Sequence, residues 1–81
     1  MATRSDLESK LTAILAGQLR LPADAAFSHD TLLEDAGLDS LAMLSFIAAI
    51  EREFGAGISD RDYESLHTFG DAVELVERLT R

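Results

Sequence analysis

The 81-residue chain contains no cysteine, a single proline and only seven basic residues. Without cysteine there are no disulfides and no thiolate metal sites, and the redox compartment stays open. Any thiol chemistry must be brought by a cofactor. Seven basic residues against fifteen acidic ones leave a formal net charge of −8. That balance excludes a basic nucleic-acid-binding face. It favours partners with positive surfaces, whose encounter long-range attraction speeds, or simply keeps a small protein soluble. No apolar run approaches the length of a membrane span, and the start lacks the basic-then-apolar order of a secretory leader. The expectation is therefore a cytoplasmic protein with neither a membrane nor a nucleic-acid partner.

What is present is a core. Hydrophobic residues make up 47% and charged residues 27% of the chain, enough for one folded domain spanning 1–81. Ser5-Asp6-Leu7-Glu8 has the form of a capping box, and Leu7, Leu11, Ile14, Leu15 and Leu19 follow on one helical face. Asp6 and Glu8 in its first turn and Arg20 in its last suit the helix dipole. Gly17 costs about 1 kcal/mol against alanine inside a helix, which suggests a close neighbour there. Pro22 disfavours helical geometry at Leu21 and ends the helix.

From Pro22 to Asp39 no period survives. A connection this long is either functional or pinned by its own side chains. Phe27, Leu32, Leu33 and Leu38 are the expected pins. The next segment, Leu41 to Phe54, reads as a helix with two apolar stripes. Met43, Phe46, Ile47, Ile50 and Phe54 share the face expected to be buried. Leu41, Leu44 and Ala48 fall nearly opposite, beside Ser45 and Arg52, where a helix with one buried face is normally polar. The second stripe therefore suggests a docking surface, or else a helix buried almost all round.

Gly55 and Gly57 end this helix. Ser59 caps a short helix from Asp60 to Leu66 with Tyr63 and Leu66 as its apolar contacts. Thr68 caps the last helix with Asp71 in the box position, and Phe69, Ala72, Val73, Val76 and Leu79 form its inward face. No alternating strand pattern occurs. The expected fold is all-α, a small four-helix bundle of three main helices and one short one with a long first loop.

Little enzymatic chemistry is on offer. The acids from Asp60 to Asp71 lack the central glycine of a calcium loop, Ser65 standing in its place. His29 and His67 have no metal-ligand spacing, and His29 reads as a solvated or capping residue. Gly37-Leu38-Asp39-Ser40-Leu41 is not a Gly-x-Ser-x-Gly elbow and has no supporting base motif. A bundle of this size also leaves little room for a substrate pocket. Ser40 nonetheless stands where a helix opens, beside unpaired N–H groups and the positive dipole end that favour a phosphate. It is either a helix cap or an attachment point.

The residues resemble those of the acyl and peptidyl carrier protein family. The likeness rests on Gly37-Leu38-Asp39-Ser40-Leu41, the amphipathic first helix, Glu34-Asp35 before the glycine, the Phe54-Gly55 helix end and Ile58 before the short helix. It covers essentially the whole chain. The resemblance implies a non-catalytic carrier with a covalent 4′-phosphopantetheine arm taken from coenzyme A, and a freestanding monomer is the expectation. Ser40 matches the serine that a phosphopantetheinyl transferase modifies, and Asp39 the acidic neighbour it reads. Leu41, Leu44 and Ala48, with Ser45 between them, match the positions partner enzymes contact. The implied partners are the transferase, a loading enzyme of adenylating or acyltransferase type, and downstream synthase enzymes. Carriers of fatty-acid synthesis usually show carboxylates where this chain has Ala42 and Ser45. That departure points to a specialised polyketide or nonribosomal-peptide type of pathway, with fatty-acid synthesis as the alternative. An unmodified helical interaction module is the reading from a different class.

Overall fold

A computed structural model describes residues 3–22 and 24–80. Among these residues five helices follow in order: α1 (Arg4–Leu19), α2 (Leu33–Ala36), α3 (Ser40–Phe54), α4 (Asp60–Glu64) and α5 (Phe69–Leu79). The architecture is the expected small all-α bundle, with α1 packed on α3 and α5, and α3 on α5. The difference is α2, a single turn inside the long first connection. No helix is long and apolar enough to cross a membrane among the described residues.

Each long helix contributes the face its spacing predicts. Leu7, Leu11 and Leu15 of α1 meet Phe46, Ile47 and Ile50 of α3 and Phe69, Ala72, Val73 and Val76 of α5. Ile14, Leu19, Met43, Phe54 and Leu79 pack at the margin, partly buried. Leu75 is buried as well, because α5 lies against both other long helices and hides a broader face than one stripe.

The start of α1 corrects the expected capping box. The cap is Thr3, whose Oγ1 accepts from Asp6 N at 3.1 Å while Asp6 Oδ2 accepts from Thr3 N at 3.2 Å. The helix thus begins one box earlier than Ser5 and Glu8 would set it. Glu8 is released to meet His29 Nε2 at 2.6 Å. Arg20 does not sit in the last turn; it caps the helix itself in the left-handed region, at φ 57°. Gly17 is exposed, and a Cβ there would meet nothing within 4 Å. It therefore marks no close packing.

Close packing occurs at Gly70 instead. Residues 29–33 run antiparallel to residues 67–70 and exchange three backbone hydrogen bonds. Leu33 N donates to His67 O, Phe69 N to Thr31 O and Gly70 N to His29 O, each at 2.9 Å. Leu32 and Thr68 form an isolated bridge at its centre. This pairing turns Leu33 fully inward and leaves Leu32 44% exposed, so Leu32 is not one of the pins. Phe27 is, lying 5.6 Å from the Phe69 ring, and Leu33 and Leu38 are buried as expected. A Cβ on Gly70 would stand 2.9 Å from the His29 carbonyl oxygen and 3.1 Å from its Cβ. Helix propensity alone makes Gly70→Ala stabilising by about 1 kcal/mol. The clash is with backbone, and the expected result is a net destabilisation of about 1–3 kcal/mol. Chemical denaturation settles the sign.

The Thr68 box forms as its spacing predicts. Asp71 N donates to Thr68 Oγ1 at 3.0 Å, and Asp71 Oδ2 accepts from Thr68 N at 2.9 Å and His67 N at 3.0 Å. Burial pushes the Asp71 carboxyl upward, but these backbone and side-chain hydrogen bonds outweigh it and hold the pKa below its ordinary value. A depressed carboxyl contributes stability that is complete above the unfolded value and lost as pH falls through the lower folded value. Asp71→Ala leaves two N–H groups unpaired. It is expected to cost on the order of 1–2 kcal/mol at neutral pH and to flatten the acid limb of stability against pH, measured by urea midpoints.

Candidate functional site

The site forms where the long connection delivers the chain to α3. Gly37 ends α2 at φ 118°, a conformation open to glycine but strained for a side chain. A Cβ there would also lie 3.2 Å from Leu19 Cδ2, so the turn packs directly on the end of α1. Leu38 is then buried, and this anchor hands Asp39 and Ser40 to the surface. Asp39 is extended and caps α3, its Oδ1 accepting from Ala42 N at 2.8 Å. The first backbone bond of the helix runs from Met43 N to Asp39 O at 2.8 Å. The N–H groups of Ser40 and Leu41 precede it at the positive end of a 15-residue helix.

The choice between cap and anchor is thereby narrowed. Asp39 does the capping, and Ser40 stands exposed as the first helical residue. An exposed hydroxyl beside open N–H groups at a helix N-terminus suits a phosphodiester both sterically and electrostatically.

Ser40 also borders a cleft of about 600 Å³, larger than a bundle this small was expected to hold. Its floor is apolar, formed by buried Leu33, Leu38 and Leu66 with half-buried Met43. Exposed Glu34, Tyr63 and His67 stand at its rim. α4 ends at Glu64, short of Leu66, so the chain bends there and drops Leu66 inward. Tyr63 remains 38% exposed against the cleft instead of entering the core. The only sequence signal for this wall was Tyr63 and Leu66 at helical spacing, which equally describes an ordinary core contact.

Leading away from Ser40, the outer face of α3 is apolar. Leu41 is 77% and Leu44 57% exposed, and Ser45, Ala48 and Arg52 are exposed beside them. Asp39, Ser40, Leu41, Leu44, Ser45 and Ala48 therefore lie on one continuous surface at the start of α3. His29 lies elsewhere, paired with Glu8 and capping α5 through its carbonyl. Of the acids with the faint calcium-loop pattern, Asp62 approaches Arg78 Nη2 at 3.3 Å and Asp71 completes the Thr68 box.

Comparisons with known proteins show the family. Residues 9–76 match the family described as the phosphopantetheine attachment site. The chain is 32% identical over 78 residues to a protein named acyl carrier protein from Thermotoga maritima, covering 96% of both chains. It is 31% identical to an acyl carrier protein of Kineococcus radiotolerans, again over 96% of both. It is 32% identical to the chloroplastic acyl carrier protein 1 of Casuarina glauca, over 96% of this chain and 57% of that one. A family match spanning most of the bundle makes 4′-phosphopantetheine its covalent cofactor, and the chain belongs to the phosphopantetheine-attachment family of carrier proteins.

Proposed function

We propose that Ser40 is the attachment residue, and that the chain carries acyl or aminoacyl units on the arm and presents them to enzymes. The observation that carries this reading is the separation of roles at the start of α3: Asp39 supplies the cap, and Ser40 stands exposed beside the open N–H groups. The Ser40 oxygen, losing its proton, would take the phosphopantetheine phosphate from the pyrophosphate of coenzyme A and release adenosine 3′,5′-bisphosphate, and the helix N-terminus would stabilise the charge of the resulting phosphodiester. The arm supplies a thiol, absent from the chain itself, that holds cargo as a thioester. The protein's own part is positioning. Gly37 and Leu38 fix the turn, Asp39 fixes the helix start, and a short tether keeps the cargo at high local concentration once an enzyme docks.

Asp39, Leu41, Leu44, Ser45 and Ala48 form the surface that partner enzymes read in this proposal. Such docking has to be small enough to release, and a short apolar strip meets that need better than a broad hydrophobic face. The partners are a phosphopantetheinyl transferase, a loading enzyme and downstream synthases, none of which the relatives' names specify.

Incubation with coenzyme A and a broad-specificity transferase, followed by intact mass, tests the reading. One phosphopantetheine should be added and map to the peptide containing Ser40. No addition would leave an unmodified interaction module as the better account.

For the pathway, we infer a specialised system in which the loaded unit is an amino acid or an unusual acyl group. The support is the neutral pair Ala42 and Ser45 early in α3. The relatives' shared name, acyl carrier protein, favours the second reading, service in fatty-acid synthesis. A panel of adenylating and acyl-transferring enzymes separates them, and efficient turnover only with fatty-acid synthase enzymes would establish the second.

A further inference from the structure

Between Leu41 and Phe54 the charged residues are Glu51, Arg52 and Glu53, and the structure sorts them by face. Glu51 turns toward the connection after α3, where its Oε2 accepts from Ile58 N at 2.8 Å. Glu53 leans toward α1, its Oε1 3.9 Å from Lys10 Nζ. Arg52 does neither. At 100° per residue it follows Leu41, Ser45 and Ala48 on the outer face. It is exposed and has no carboxylate within ion-pairing distance among the described residues. Arg20 and Arg61 are likewise outside any ion pair among the described residues but belong to other elements, whereas Lys10, Arg4 and Arg78 all face acids.

The outer face of α3 is therefore graded. Asp39 stands beside Ser40 with one carboxylate oxygen committed to Ala42 N. Apolar Leu41, Leu44 and Ala48 follow, and Arg52 closes the strip about 18 Å from Ser40 along the helix axis. Of the two carboxylates beside it, Glu51 is engaged by Ile58 N and Glu53, itself half exposed, leans toward Lys10, so Arg52 is the charge standing on the outer face itself. A net charge of −8 still attracts a basic protein from a distance. At contact the Arg52 end of the strip disfavours one, because a continuous basic patch would set Arg52 against like charge.

We propose that the enzyme reading this strip does so with an apolar groove ending in a carboxylate that pairs with Arg52. The occupant is thus a carrier-dependent enzyme whose docking face is apolar with an acidic far end, and the Asp39-to-Arg52 gradient sets the direction in which it binds. This rests on the carrier reading and specifies the partner of the same site. Arg52 also stands in the last turn of α3, where a cation suits the dipole. That role alters stability and leaves enzyme recognition untouched.

The test uses the full chain, converted to the phosphopantetheinylated form and confirmed by mass. Wild type, Arg52→Glu and Arg52→Lys are compared as substrates of a broad-specificity transferase (from the apo form), a stand-alone adenylating enzyme, a malonyl-transferring acyltransferase and a ketosynthase with a basic docking face. With the enzyme showing the lowest KM for wild type, Arg52→Glu is expected to raise KM about tenfold with kcat unchanged, and Arg52→Lys to stay near wild type. The penalty should shrink in about 0.5 M salt, where charges a few ångströms apart are screened. With the basic-faced ketosynthase, Arg52→Glu should lower KM. An unchanged or lower KM for Arg52→Glu with the best enzyme overturns the proposal, as does a change in thermal midpoint alone. Failure of the wild type to accept phosphopantetheine removes the carrier reading itself, and this inference with it. Acceptance without the Arg52 effect removes only the inference.

Discussion

Ser40→Ala is expected to accept no phosphopantetheine while unfolding within about 0.5 kcal/mol of wild type. The first half follows from chemistry: alanine has no oxygen to join to the phosphate. The second half follows from who caps α3. A Ser-to-Ala change at a true N-cap costs about 1 kcal/mol, but here the Ala42 N–H is held by Asp39 Oδ1 at 2.8 Å. Ser40 is the exposed first residue of the helix and not its cap, and surface substitutions of this kind stay within about 0.5 kcal/mol. Asp39→Ala is the control, expected to lose about 1 kcal/mol through the missing cap while keeping the Ser40 hydroxyl. Intact mass and thermal melts on the two variants read both quantities. Modification of Ser40→Ala would move the attachment to another hydroxyl, and its unfolding would show that the serine serves the fold.

How much of this was legible depended on whether a signal was local. The three long helices were, because each carries a 3.6-residue apolar period over ten or more residues and punctuation at its ends. Gly55 past Phe54 and the Thr68–Asp71 box are local devices, and both formed as read. The box on α1 was misplaced because Thr3-Arg4-Ser5-Asp6 and Ser5-Asp6-Leu7-Glu8 overlap and both satisfy the pattern. In the fold both segments also meet partners remote in sequence: Glu8 is engaged by His29, and Arg4 reaches Glu77 Oε1 at 2.7 Å. α2 is four residues long, too short to show a period. The inward turn of Leu33 and outward turn of Leu32 come from pairing with residues 67–70, some 35 positions away. Gly17 and Gly70 make the same point. Both interrupt helical patterns, and only the approach of His29, invisible in any local window, distinguishes the packed glycine from the open one. At the site, the order Gly37 to Leu41 and the two stripes of α3 were readable as local spacing. The cleft was not, because its two sides come from segments that meet only in the folded bundle.

Those two stripes give a large stability contrast within one helix. Phe46→Glu should leave the chain unfolded at room temperature, whereas Leu44→Glu, two residues earlier, should stay folded with its helical content unchanged. Phe46 is fully buried, 0% exposed, at the centre of the packing between α1, α3 and α5. Removing a buried phenylalanine to alanine costs about 3–5 kcal/mol. Placing a carboxylate in the same space adds several more, unless the group protonates or the helix withdraws from the core. Against this, an 81-residue domain has a total stability of about 4–12 kcal/mol, so the single change consumes most or all of it. Leu44 is 57% exposed, and surface substitutions of this kind stay within about 0.5 kcal/mol. Leu44→Glu would instead weaken the strip. If the strip is the docking surface, the variant melts like wild type yet shows a raised KM with enzymes that recognise α3. Circular dichroism and partner kinetics on the same two proteins separate fold from docking. A folded Phe46→Glu beside an unfolded Leu44→Glu would mean that α3 presents the opposite face to the core, and the surface beside Ser40 would then have to be sought on another helix.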